Sequence, residues 1–353
     1  MRILIAGTVA CTIALAANIA LGQAERQHFV SDASFVIGTY EPKSNEHTPE
    51  AMANAAQALV DALDESQREQ LTQPVDTDER REWTNLPARP DADGLRLGLM
   101  SEQQVKLACD LMATLFSEQG YRKMCNIMLA DDQLLRGGRA RQGFGTEEFS
   151  IVIFGEPSAT GPWGFQLDGH HIGVNVSVTG EDVTLSPSFI GTQPEAFNIA
   201  DDRIRPIGEE VDQAYALANS LTDDQRREAI LRPERGQIIT GPGRDNQVPR
   251  TRGVSCATFT DEQKAAVMQL IGRWVNDLPS AQAEKRMQQI ESEMDEISFA
   301  WNGETEPGSD ISWIIQGPSL IVEYACQDLG GNPLDHLHTI YRDPTNEYGG
   351  QLD

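Results

Sequence analysis

Near residue 147 the hydrophobic period of this 353-residue chain changes from three-and-four to two. "EFSIVIFGEP", "WGFQLDGHHIGVNVSVTG" and "DVTLSPSFIG" read as consecutive strands, the last two joined by a turn at Thr179-Gly180-Glu181-Asp182. Before them come helical stretches: "TPEAMANAAQALVDALDESQREQL", then two helices from "MSEQQVKLACDL" onward, with Ser101 and Gln104 as a capping box. After them "GEEVDQAYALANSL", "TDDQRREAIL" and the long "TDEQKAAVMQLIGRWVNDLPSAQAEKRMQQIESEM" are helical again. "ISFAWNG", "SWIIQGPSLIVEYAC" and "HLHTIYR" close the chain as strands. Strands in runs separated by helices in runs predict an α+β fold with a mostly antiparallel sheet. No repeat or low-complexity linker divides it, so residues 46–353 are expected to form a single large domain, with 25–45 as a polar arm.

The opening "MRILIAGTVACTIALAANIALGQA" has one basic residue, a long apolar run and a small-residue ending, which fits a secretory signal peptide over 1–24. A secreted or periplasmic protein, free of the membrane after cleavage, is the expectation. The formal charge of −26 excludes nucleic acid as a natural partner, because no basic cluster is large enough to release counterions. The glycine-rich "RGGRARQGFG" lacks the Lys-Ser/Thr ending of a phosphate-binding loop. Without Cys11, four cysteines remain, an even set in an oxidising compartment. Disulfides Cys109–Cys125 and Cys256–Cys326 are the expected pairing of the three possible.

Four of the six histidines stand in two clusters, His170-His171 and His336-x-His338. Alternate residues of a strand share a face. Ahead of the first cluster the apolar set is Trp163, Phe165 and Leu167; after it the set is Ile172, Val174, Val176 and Val178. The change of parity predicts a β-bulge at Gly169-His170, with Asp168 and His171 sharing the polar face with Gln166 and Asn175.

His336 and His338 face one way if "HLHTIY" is a strand. A His-x-His on one strand plus a histidine from another can hold a transition metal through imidazoles and leave one position open. The expected ligands are His171, His336 and His338, with His170 as a fourth ligand or proton shuttle. Asp168 or Glu323 would act as base or hold a ligand by its second nitrogen, and Asp335 and Asp343 are further carboxylates within reach. Arg342 would orient an anionic group of a small-molecule substrate. The resulting expectation is an exported metalloenzyme of hydrolytic or lyase type, with zinc favoured. A copper- or iron-dependent oxidoreductase and a non-catalytic metal- or ligand-binding protein use the same residues. No GxSxG, HExxH or GxGxxG motif points elsewhere.

"WGFQLDGHHIGVNVSV", "LSPSFIGTQP", "FAWNGETEPG", "IQGPSLIVEY" and "HLHTIYRDPTNEYG" together resemble a family of secreted proteins known as a domain of unknown function, DUF3500. The resemblance runs from about Trp83 to the C-terminus. It implies that His170, His171, His336, His338, Arg342, Asp343 and Asn346 belong to one site, with the last three contacting substrate. It implies no reaction. Asp343-Pro-Thr-Asn346 is also good turn chemistry in its own right.

Overall fold

The computed structural model describes residues 26–90, 92–138, 142–329 and 331–351. The expected leader, with Cys11, and Arg139 and Arg141 of the glycine-rich loop lie outside them. Among the described residues no helix is long and apolar enough to cross a membrane.

Among the described residues fourteen strands follow in chain order: β1 (Thr72–Gln73), β2 (Leu95–Arg96), β3 (Ser150–Phe154), β4 (Pro162–Gly169), β5 (Ile172–Thr179), β6 (Asp182–Thr192), β7 (Phe197–Ile199), β8 (Asp202–Ile204), β9 (Ile230–Arg232), β10 (Val254–Ser255), β11 (Ser298–Asn302), β12 (Ser312–Gln316), β13 (Ile321–Cys326) and β14 (Leu337–Arg342). Ten form one path, β1-β3-β4-β5-β6-β14-β13-β12-β11-β10, with β2 on β3 and β9 on β11. Only the β1–β3 and β9–β11 pairs are parallel. The mostly antiparallel α+β architecture is therefore as the periodicity predicts. Its centre is the β6–β14 pair, which sews the first run of strands to the last.

Helices cover one face. Phe165 of β4 meets Phe116 with ring centroids 6.2 Å apart, and Trp274 Nε1 donates to Thr339 Oγ1 of β14 at 2.6 Å. The opposite face is polar at β4 and β5, where Gln166 donates to Asn175 Oδ1 and Arg80 donates to the Val176 carbonyl. A small cluster of Trp83, Phe189, Ile340 and Tyr348, with Ile238 against it, continues this face toward β14.

Several boundaries differ from expectation for local reasons. The arm carries a helix, Asp32–Thr39, capped by Ser31 and burying Ala33, Val36 and Ile37. The helix expected over 48–71 breaks into Pro49–Asp61 and Glu65–Leu71, because Asp64 and Gln67 form a second capping box. The long helical stretch divides at Pro279, which ends one helix at Val275 and precedes the next, Ser280–Ser292.

The larger correction concerns the histidine strand. Trp163–Thr179 is not one bulged strand but the hairpin β4–β5, with His170-His171 as its two-residue turn between Gly169 and Ile172. Leu167 pairs with Val174, Phe165 with Val176 and Trp163 with Val178, so odd residues on one arm meet even ones on the other. A two-residue turn changes the parity as a bulge would. A register shift does exist one strand later, between Val174 and Val176 against β6.

The cysteines are unbonded and buried. Cys256 follows β10 and Cys326 ends β13, three strand spacings or about 14 Å across the sheet and at opposite ends of its strands, whereas a disulfide needs Cα atoms within about 7 Å. Cys109 and Cys125 do sit together, on helices Glu102–Leu115 and Glu118–Arg136 around Tyr121, but as thiols. Burial pushes the Cys109 thiol up to about 12 and raises Cys125 as well, so neither is a nucleophile.

A candidate four-histidine metal centre

The β6–β14 register sets His338 beside Gly191. Gly191 N donates to the His171 carbonyl at 2.8 Å, and His171 N donates to the Asn85 carbonyl at 3.0 Å, which together dock the hairpin turn onto the end of β6. His171 holds φ +74, a left-handed conformation that costs a non-glycine residue about 1 kcal/mol. A Cβ on Gly191 would stand 2.9 Å from His338 Cδ2 and 3.0 Å from His171 Cδ2. Glycine is what leaves room for two imidazoles side by side.

Four rings converge here. His171 Nε2 lies 2.7 Å from His336 Nε2, which lies 3.0 Å from His338 Nε2. His170 stacks on His171 with centroids 3.7 Å apart and is closed on its other side by Phe144 at 4.6 Å. One nitrogen from each of His170, His171 and His336 falls within 4.8 Å of the others, close enough to share an ion. His170, His171 and His336 are buried and His338 is mostly buried.

Two of the four rings are oriented through the second nitrogen. His170 Nδ1 donates to Asp131 Oδ1 at 2.6 Å, and Asp131 Oδ2 accepts from Gly145 N at 2.6 Å. His336 Nδ1 donates to the Leu329 carbonyl. A donor at Nδ1 leaves the Nε2 lone pair inward, the arrangement by which proteins orient metal-binding imidazoles. Burial, with the neighbouring imidazoles adding to it, holds His171 and His338 well below the usual histidine range; burial also lowers His336. Lowered in this way, His171, His336 and His338 favour the neutral form, which offers a lone pair. His336 Nε2 has a single in-plane lone pair, so N–H groups from His171 and His338 cannot both align with it. An ion with bonds of about 2.0–2.1 Å could be shared by His170, His171 and His336 once their nitrogens settle to the roughly 3.3 Å edge of a tetrahedral site, with His338 beside them.

Asp131 was not legible as a site residue, since it stands in an ordinary amphipathic helix. Its one signal is position: it lies one turn beyond Ile127 and Met128 on the buried stripe of Glu118–Arg136 and is itself 1% exposed.

The other expected site residues lie elsewhere. Asp168 points to the polar face, where Oδ2 accepts from Thr84 N at 3.3 Å; burial, reinforced by Asp93, pushes its carboxyl well above the usual range. Glu323 accepts from Ile239 N and Thr240 N, both at 2.8 Å, and from Thr240 Oγ1, which pins the loop between β9 and β10; burial raises its carboxyl too. Arg342 is 1% exposed and spends its donors on Asp245, Glu347 and the Thr240 and Arg244 carbonyls. Asp343 accepts from Thr345 N and Oγ1 and pairs with Arg286 at 3.3 Å, while Asn346 N donates to the Asp343 carbonyl. Asp335 accepts from Glu195 N. Arg342 and Asp343 stand at the far end of β14, about 13 Å along the strand from His338.

Fold and site thus define an α+β protein built around a buried histidine centre able to hold a metal ion. The chain belongs to the DUF3500 family, described as a protein of unknown function, which spans residues 45–350. No curated protein and no solved structure matches it.

Proposed function

We propose that the protein is an exported metalloenzyme whose centre is built from His170, His171, His336 and His338. The observation that carries this reading is the convergence of imidazole nitrogens in the interior, with His170 and His336 locked by Asp131 and the Leu329 carbonyl. The single lone pair of His336 Nε2 serves two neighbouring nitrogens at 2.7 and 3.0 Å, an arrangement an ion would complete. Zinc is the favoured ion. There it would act as a Lewis acid and lower the pKa of a bound water to about 7. His338 is the least buried of the four, and a small molecule would reach the ion from its side. Hydrolytic or lyase-type chemistry on a small anionic substrate rests on the ion's own charge, because Arg342 is already committed to Asp245 and Glu347.

The second reading, copper- or iron-dependent redox chemistry, is supported by the donor set itself. Only imidazoles converge, and such a set suits copper as well as zinc. Metal analysis of the mature untagged protein decides between them. Expected is near-stoichiometric metal, retained after dialysis and lost in a folded variant carrying His336→Ala and His338→Ala. A native chain that takes up no zinc, copper or iron after incubation with each would overturn both readings.

A further inference from the structure

A cavity of about 410 Å³ opens on the polar face of β3 and β4, beside the hairpin turn but sharing no residue with the histidine centre. Its floor is Ser150, Val152, Gln166 and Asp168, and Trp83 and Leu86 form its wall. A volume near the lower end of the ~300–1,000 Å³ range of small-molecule sites, with apolar surface beside a set of charged side chains, suits one ring or a short chain. The floor has one unmet requirement. Asp168 Oδ1 is buried and has no hydrogen-bond partner among the described residues, while its other oxygen accepts only from Thr84 N. Gln166 cannot serve it, since its amide nitrogen is spent on the Arg80 carbonyl and Asn175 Oδ1. A buried carboxyl oxygen left without a partner is destabilising, and a cationic donor beside it would both fill the gap and favour the ionised form.

The lining also sets the charge of that donor. Glu79, Glu82, Asp93, Glu148 and Asp168 face Arg81 and Arg89, and of the five acids Glu148 is neutralised by Arg96 at 3.0 Å. The remaining acidic excess, in a chain of net charge −26, favours a cation and repels a carboxylate or phosphate.

We propose that this cavity is a binding site for a small organic cation, an ammonium or guanidinium on an apolar body, with Asp168 as its hydrogen-bond acceptor and Trp83 and Leu86 packing the body. The site does not depend on the metal reading, since it can be occupied whether or not the histidines hold an ion.

Titration calorimetry of the full-length mature protein, metal-loaded and again after chelation, with benzylamine and its neutral counterpart benzyl alcohol, tests this. Expected is saturable benzylamine binding with a Kd below about 10 mM. Benzyl alcohol should bind at least tenfold more weakly, and Asp168→Asn should weaken benzylamine at least tenfold, the value of a charge-assisted hydrogen bond. Ala92→Trp, which fills the cavity from its rim without touching Asp168, should abolish binding and keeps the test decisive if Asp168→Asn does not fold. Absence of benzylamine binding, equal binding of the alcohol, or binding unchanged in Ala92→Trp would overturn the proposal. Benzylamine binding that persists after chelation, in a protein found to take up no metal, would leave this site standing while the metal centre falls.

Discussion

The two ends of β14 carry the two residue clusters that stand out in the sequence, and they are built on opposite principles. At the first end His336 and His338 meet His171 with nitrogens facing nitrogens, an arrangement that is incomplete without a proton or an ion between them. At the other end Arg342 has its guanidinium enclosed by two carboxylates and two carbonyls. Both clusters are buried and polar, yet only one leaves anything for a ligand to do. Burial and charge alone therefore do not separate a site from a fastening; what separates them is whether the groups satisfy one another.

Substitution should pull the two ends apart. The double variant His336→Ala, His338→Ala should lose all bound metal while its stripped form stays folded. Arg342→Ala should do the reverse: it leaves Asp245 and Glu347 without their cation and costs about 3 kcal/mol in urea unfolding, with metal stoichiometry unchanged in the folded fraction. Equal losses of metal in both variants would erase the distinction.

Acid should act on the histidine end first. Burial keeps His171, His336 and His338 neutral in the folded chain at a pH where the unfolded chain takes up protons, near 6.5. The unfolded state then binds more protons, so stability falls as pH falls below about 6.5, by on the order of 1 kcal/mol per pH unit for each imidazole that stays neutral. Thermal melting of the chelated protein between pH 7.5 and 5.5 checks this, and a flat Tm would contradict it. Asp131→Asn keeps the shape but weakens the orientation of His170; metal affinity should drop about 10–100-fold, read by chelator competition. The smallest effect belongs to Glu323→Gln. Loss of its charge-assisted hydrogen bonds to residues 239–240 should cost about 1–2 kcal/mol and leave metal affinity within a factor of two or so.

Much of this was legible in the sequence, and its gaps have physical causes. The change of period near 147 announces the sheet, and the spacing of His336 and His338 announces that both face one way. The parity change at Gly169-His170 is real, but a two-residue turn and a bulge produce the same shift. Gly-His-His also lacks the Asn-Gly or Asp-Gly that marks such a turn. Asp131 stayed hidden because a helix's buried acid is visible only when its partner arrives from 39 residues away. Asp343-Pro-Thr-Asn346 turned out to be the turn that its residue types describe. Asp343 and Asn346 line one cavity, but at the end of β14 away from the histidines.

The pairing of β6 with β14 has a consequence in time as well as in space. His171 and His336 are 165 residues apart, and they meet only when the last strand enters the middle of the sheet. Contacts of such separation form late in folding. A chain still lacking its final strand holds half of the centre and cannot retain an ion. On the metal reading proposed above, the supply that matters would be the one present where the C-terminal strand closes the sheet, not the one present where synthesis begins.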